Sequence, residues 1–274
     1  MNIFHFVLKW SSLVFSCLVF VSCSSRLSDS YVAQYQYLRD IRECASSYPQ
    51  FRGEDEYSLL VLVEARHLDY SSPEAFFTSM HYGLLLPQDP TIGHAWIKLS
   101  GKINGKPWTF EGGHTGEFGL TAPKYFDEVV RLSFETSDPN PAKYLFSSLP
   151  DGYLQKGPGG HFPTLVVAFP LTKEEFLNLY RFIQKYDFTQ WSLQNHQCVH
   201  FVQACLGTIG VPIFCTQTLH LPHEFIWKNE RIRLWQDAEY GELTLATPDA
   251  LEKALFQEVL KKRALIAMKW YTSS

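Results

Sequence analysis

Around one dipeptide, Asn104-Gly105, the chain alternates on both sides: HAWIKLSGKI precedes it and KPWTFEGG follows it. Both residues tolerate positive φ, so the pair predicts a two-residue turn and an antiparallel hairpin. Counting outward from the turn sets Lys98 opposite Glu111 and His94 opposite Thr115. Alternation then puts His94, Trp96 and Lys98 on one face, and Ala95, Ile97 and Leu99 on the other.

EVVRLSFE at 128–135 predicts a third strand and HFPTLVVAFPL at 161–171 a fourth. EYSLLVLVEARHL reads as a strand or a short helix, and its periodicity does not decide. The GPGG run at 157–160 is a loop whose spacing fits no phosphate-binding fingerprint. Helices are expected on both sides of the sheet. One covers 31–44, with apolar residues at 31, 35, 38 and 41. Another covers 71–80, where a serine precedes a first-turn proline. Thr172 and Glu175 form a capping box ahead of Phe176, Leu179, Tyr180 and Ile183. Asn195 is the expected cap of a helix from His196 to about Gly207. Residues 216–246 read as irregular and aromatic. Thr247, Pro248 and Asp249 then open a final helix. The economical class is α+β, an antiparallel sheet with helices before and after it.

Residues 1–22 hold one lysine and an apolar run from Ser11 to Val21, which is short for a membrane span and has a secretory layout. The run ends at Cys23 and resembles a bacterial lipobox in which that cysteine is lipidated, with Phe20 where leucine is usual. A signal cut elsewhere and an uncleaved anchor are the alternatives. The net charge of −4 carries no basic excess and speaks against a nucleic-acid partner. Cys44, Cys198, Cys205 and Cys215 are too few for a disulfide scaffold, although Cys205–Cys215 or Cys44–Cys215 pairing is open.

In HQCVHFVQACLGTIG, from His196 to Gly210, a cap at Asn195 makes Cys198 the third residue of a helix. Unpaired amides and aligned dipoles there favour an anion, so its thiol is expected to ionise below the free value near 8.5. The same amides can hold an oxyanion. His196 and His200, two residues away on either side, are turned from it, so the base must come from elsewhere. His94, behind Gly93 at the mouth of a strand, is the expected base. Glu111 is the expected orienting residue and His114 the second choice; without a bulge Glu111 shares the face of His94 but lies four residues along. Each has a bland reading too: Cys198 in an apolar stripe with Val202 and Cys205, His94 in a turn, Glu111 in a surface pair.

A strand-borne histidine, a polar residue on the next strand and a late helix-opening cysteine resemble the circularly permuted branch of the NlpC/P60 papain-like superfamily. CVHFVQACLG is similar to the cysteine motif of its lecithin:retinol acyltransferase-like members. The resemblance spans roughly 90–210. It implies Cys198 as nucleophile, His94 as base and Glu111 as third residue, with His114 in the alternative second-histidine role. His200 and Phe201 match the histidine-phenylalanine pair that follows the motif cysteine after one arbitrary residue, and Gln197 stands where asparagine is expected. It also implies a permuted papain-like fold. The expected division is a signal over 1–22, a lipid-anchored tether and helix over 23–50, a catalytic domain over 51–215, and an extension over 216–274 ending in a helix.

The implied chemistry is thiol-dependent hydrolysis or acyl transfer through an acyl-cysteine. The expected substrate is a cell-wall peptide amide, or a lipid ester as alternative, in an exported, membrane-anchored envelope protein without cofactor. Trp96, Trp108 and Phe110 are candidate cleft walls. Two rivals stand beside this. A metal site would draw on His196, Cys198 and His200 with His94, His114 and His161, but positions i, i+2 and i+4 of a helix do not converge. A non-catalytic envelope module would keep the fold and bind peptide or protein. Oligomeric state is not legible.

Overall fold

The computed structural model describes residues 47–82, 92–116, 129, 131, 133, 138–227 and 229–273. The expected leader, Cys23, Cys44 and the helix expected over 31–44 lie outside the described residues. The ambiguous SLLVLVE is a strand, β1 (Ser58–Glu64), buried at every position. Its continuous apolar run reflects burial on both faces, which removes the alternation that would have marked it. Helix α1 (Pro73–Tyr82) follows as expected. The hairpin strands are β2 (His94–Ile103) and β3 (Lys106–Gly116), turning through Asn104 and Gly105 at φ of 53° and 76°.

Strands β4 (Gly152–Lys156), β5 (Leu165–Pro170) and, far along the chain, β10 (Leu265–Ile266) complete a sheet of order β10-β5-β1-β2-β3-β4. Every neighbour is antiparallel. On one face Val61, Val63, Ala95, Ile97 and Val167 meet the helices α2 (Lys173–Lys185), α3 (Cys198–Thr208) and α4 (Pro248–Leu260). On the other, Leu60, Leu62, Trp96 and Val166 pack with Phe51 and with Trp270 and Tyr271 of the terminal helix α5 (Met268–Ser273). The class is therefore α+β, with an antiparallel sheet between a helical layer and a thinner aromatic one.

Two expectations give way. The strand read at 128–135 is helical at Val129, Arg131 and Ser133. Val129 is buried, Arg131 exposed and Ser133 half-buried, a pattern that fits a helical repeat; strict alternation would have turned all three the same way. Residues 216–246 are not irregular. They form two antiparallel ribbons: β6 (Thr216–His220) pairs with β9 (Glu242–Ala246), and between them in sequence β7 (Glu224–Trp227) and β8 (Glu230–Arg233) make a hairpin. Leu219, Ile232 and Leu243 of these ribbons share a second core with Phe76, Leu145 and Trp191.

Residues 216–273 are thus built into the body of the fold rather than appended to it. Asp249, at the start of α4, accepts the backbone N–H groups of Arg66, His67 and Leu68 at 2.7–2.8 Å and the Tyr70 hydroxyl at 3.1 Å. This ties α4 to the turn beyond β1 and fixes the end of the sheet where the candidate site lies. The capping box forms as expected: Thr172 accepts from the Glu175 amide at 3.2 Å and the Glu175 carboxylate accepts from the Thr172 amide at 2.7 Å. Thr172→Ala is expected to cost about 1 kcal/mol, read as a lowered urea midpoint with an unchanged slope.

Candidate active site

The chemistry-bearing residues collect at one end of the sheet, where β1 and β3 finish and β2 and β5 begin. Cys198 arrives there as the first residue of α3. The cap is Gln197 and not Asn195, because Ser192 and His196 exchange two backbone hydrogen bonds that hold residues 192–196 in a turn. The Gln197 carbonyl oxygen accepts the Val199 amide at 2.7 Å and the Cys198 thiol at 3.2 Å, and its Nε2 donates to the Ala246 carbonyl. Glutamine in place of the expected asparagine is therefore the residue that starts the helix.

The backbone amides of Ala95 on β2 and of Val199 and Cys198 at the helix start favour the thiolate. Burial outweighs them and pushes the thiol up to about 12. The expected acidification is overturned: only 7 % of Cys198 is exposed, and desolvation of an anion there exceeds what three amides restore. Cys205 and Cys215 are also buried free thiols, so they do not bridge.

Helix α3 packs over β2 and β3, on the face of Ala95 and Ile97. His94 lies on the other face. Its ring stacks on His161 at 4.4 Å and on Trp96 at 5.8 Å. The structure thus brings the backbone beside His94 to Cys198 but turns the imidazole away, since neighbouring strand residues point in opposite directions. No hydrogen bond reaches His94 Nε2, which is buried, and burial followed by His161 and His114 holds the ring well below the usual imidazole pKa.

Glu111 does not join His94 either. The hairpin has no bulge, Lys98 pairs with Glu111 as counted, and the carboxylate accepts from Tyr271 Oη at 2.7 Å and Trp96 Nε1 at 3.2 Å. It anchors α5. The carboxylate that does stand beside His94 is Glu64, its cross-strand partner on β1, which meets His161 Nδ1 at 2.5 Å. Sequence reading missed Glu64 because β1 was ambiguous. Once β1 is a strand antiparallel to β2, the Glu64–His94 pairing follows.

His114 is the imidazole on the cysteine's face. The register puts Gly112 opposite Ile97, so two residues on, His114 stands across from Ala95 and shares its face. The ring is fully buried among Tyr186, Phe188 and His196, with 3.4 Å from Nδ1 to the Tyr186 hydroxyl. The same hydroxyl lies 3.4 Å from His196 Nδ1, and His196 Nε2 donates to the Asp187 carbonyl at 2.8 Å. Burial and then His196 lower the His114 pKa to about 4, against the opposing pull of the Gln190 and Phe188 carbonyls and Asp187. His114 Nε2 is buried without a hydrogen-bond partner. His200, the third residue of α3, is likewise lowered to about 4 by burial and His196.

Neither tryptophan walls a cleft at this end. Trp96 is wholly buried in the core, and Trp108 packs on Phe176 and Tyr180 near the hairpin turn. Opposite Gly101, Trp108 sits six residues from Ala95, about 20 Å along the strand. Among the described residues no group of three or more His, Cys, Asp and Glu converges as metal ligands.

Comparison with protein-family models, with curated proteins and with solved structures found no match.

Proposed function

We propose that the protein is a thiol-dependent hydrolase or acyltransferase of the permuted papain-like kind, with Cys198 as nucleophile and His114 as its base. The observation that carries this is one arrangement: a thiol at a helix start, where backbone amides favour its anion, with a buried imidazole one strand away on the same face of the sheet.

With the thiol near 12 and His114 near 4, both groups are neutral at pH 7. The reaction then runs by general-base catalysis rather than from a resting ion pair. As sulfur attacks a carbonyl carbon, the thiol proton passes to His114 Nε2, the nitrogen left unpartnered. Val199 N–H is held by Gln197, so the N–H groups of Cys198 and Ala95 stabilise the oxyanion. His114 returns its proton to the leaving amine or alcohol, and a thioester remains. Water or an acceptor attacks it, His114 takes the incoming proton, and the thiol re-forms. The secretory layout and the lipobox-like Cys23 favour an envelope substrate, cell-wall peptide amide before lipid ester.

A second reading, a binding module that keeps the fold without chemistry, is favoured by the burial of Cys198 and by the thiol's hydrogen bond to Gln197 instead of an imidazole. Intact mass after incubation with cell-wall peptides and, in parallel, phospholipids separates the two. An acyl adduct lost in Cys198→Ala supports the enzyme; no adduct and no product from either substrate overturns it. In both readings a small thiol electrophile at pH 7 should modify Cys198 more slowly than a free cysteine, by on the order of a thousandfold, because so little thiolate is present.

A further inference from the structure

We infer that the surface joining the end of α4 to residues 212–216 docks on an anionic membrane. The α4 region separates its charges by depth. Asp249, Glu252 and Glu258 are buried, whereas Lys253 is half-buried and Lys261, Lys262 and Arg263 are exposed. What solvent meets is therefore a basic run in a chain whose net charge is −4. Lys261 Nζ and Arg263 Nε pair with the sunken Glu258 carboxylate at 3.2 and 2.5 Å, which holds both cations at the rim while leaving Lys253 and Lys262 outside that pairing.

Beside these cations stands an apolar projection. Phe214 is 89 % exposed and lines the same groove, of about 530 Å³, as Lys253, Lys261 and Arg263. Leu260 is 43 % exposed in the same stretch. A protruding aromatic among lysines and an arginine is the composition that seats at a headgroup boundary, the ring in the acyl border and the cations on the phosphates.

The path of the chain selects the occupant. The Phe51 amide donates to the Ile266 carbonyl at 2.8 Å, the Ile266 amide donates to the Pro49 carbonyl at 2.9 Å, and Tyr48 packs on Phe256 of α4 at 5.3 Å. The described chain therefore begins, at Ser47, beside β10 and α4, the elements that carry the basic run. A bilayer attachment through the lipobox-like Cys23 would join the body next to this face. The inference is independent of the catalytic reading.

Amide hydrogen exchange of the full chain on vesicles tests it, comparing phosphatidylcholine alone with phosphatidylcholine mixed with phosphatidylglycerol. Exchange over 212–216 and 258–264 should slow by about threefold or more on the anionic vesicles. The slowing should disappear in Lys253→Glu/Lys262→Glu and shrink in Phe214→Ser, variants that leave the Glu258 pairs intact. Equal exchange on both vesicles overturns the inference, as does slowing that survives both variants. Slowing that rises with protein concentration without lipid assigns the patch to a second copy and overturns it too.

Discussion

His114→Gln is expected to lower acylation at Cys198 by about 10²- to 10⁴-fold, the usual contribution of a positioned general base. His94→Gln, on the opposite face, should stay within about tenfold of the parent. Release of product and appearance of the acyl adduct measure both. The pH profile supplies a readout that a merely structural effect would not move. A thiol near 12 and an imidazole near 4 remain neutral between those values, so kcat/KM should be flat from about pH 5 to pH 9. A limb near the free-thiol value of about 8.5 would mean an exposed cysteine and defeat the buried-pair mechanism. If His94→Gln is the variant that abolishes turnover, His114 is not the base.

Acid should unfold this protein early. Burial lowers His114 and His200 to about 4 and holds His94 well below its usual value, so between about pH 6.5 and 4 the unfolded chain binds protons that the folded chain refuses. The stability these groups support is present above pH 6.5 and is lost as pH falls through that window. For His114 alone the loss approaches about 3 kcal/mol, a large part of a typical domain's 5–15 kcal/mol. Asp249 pulls the other way, because burial raises its carboxyl and the folded state keeps that proton longer. Urea midpoints at pH 7.5 and 4.5 check the balance. The midpoint should drop steeply, and His114→Gln should flatten the dependence. Equal midpoints would show that these imidazoles are hydrated.

Much of this architecture can be read locally. The Asn104-Gly105 turn dictates a register that reaches Lys98–Glu111 without error, and the Thr172 box starts its helix where the pattern says. Both signals lie within a few residues of what they specify. The candidate site depends on contacts between distant segments. Alternation sorts His94 from Ala95 but does not say which side receives α3, and that one unknown decides whether His94 or His114 shares the cysteine's face of the sheet. Asn195 and Gln197 can each accept an amide hydrogen, and only the 192–196 turn and the Ala246 carbonyl select between them. The thiol's environment departs from the expected one for a related reason. A helix start is visible in sequence, whereas the desolvation that overrides it comes from α2, α3 and the sheet closing together.

The short bridge between Gln50 and Ile266, with Phe51 set edge-on against Trp270 at 5.2 Å, leaves the first and last described segments side by side. Topologically the body is close to a ring, opened at a seam instead of at two remote points. Its hydrogen-bonded framework is therefore largely indifferent to which residue a ribosome makes first. A gene that joined the two segments and began at the solvent-facing hairpin tip would spell the same sheet in a different order.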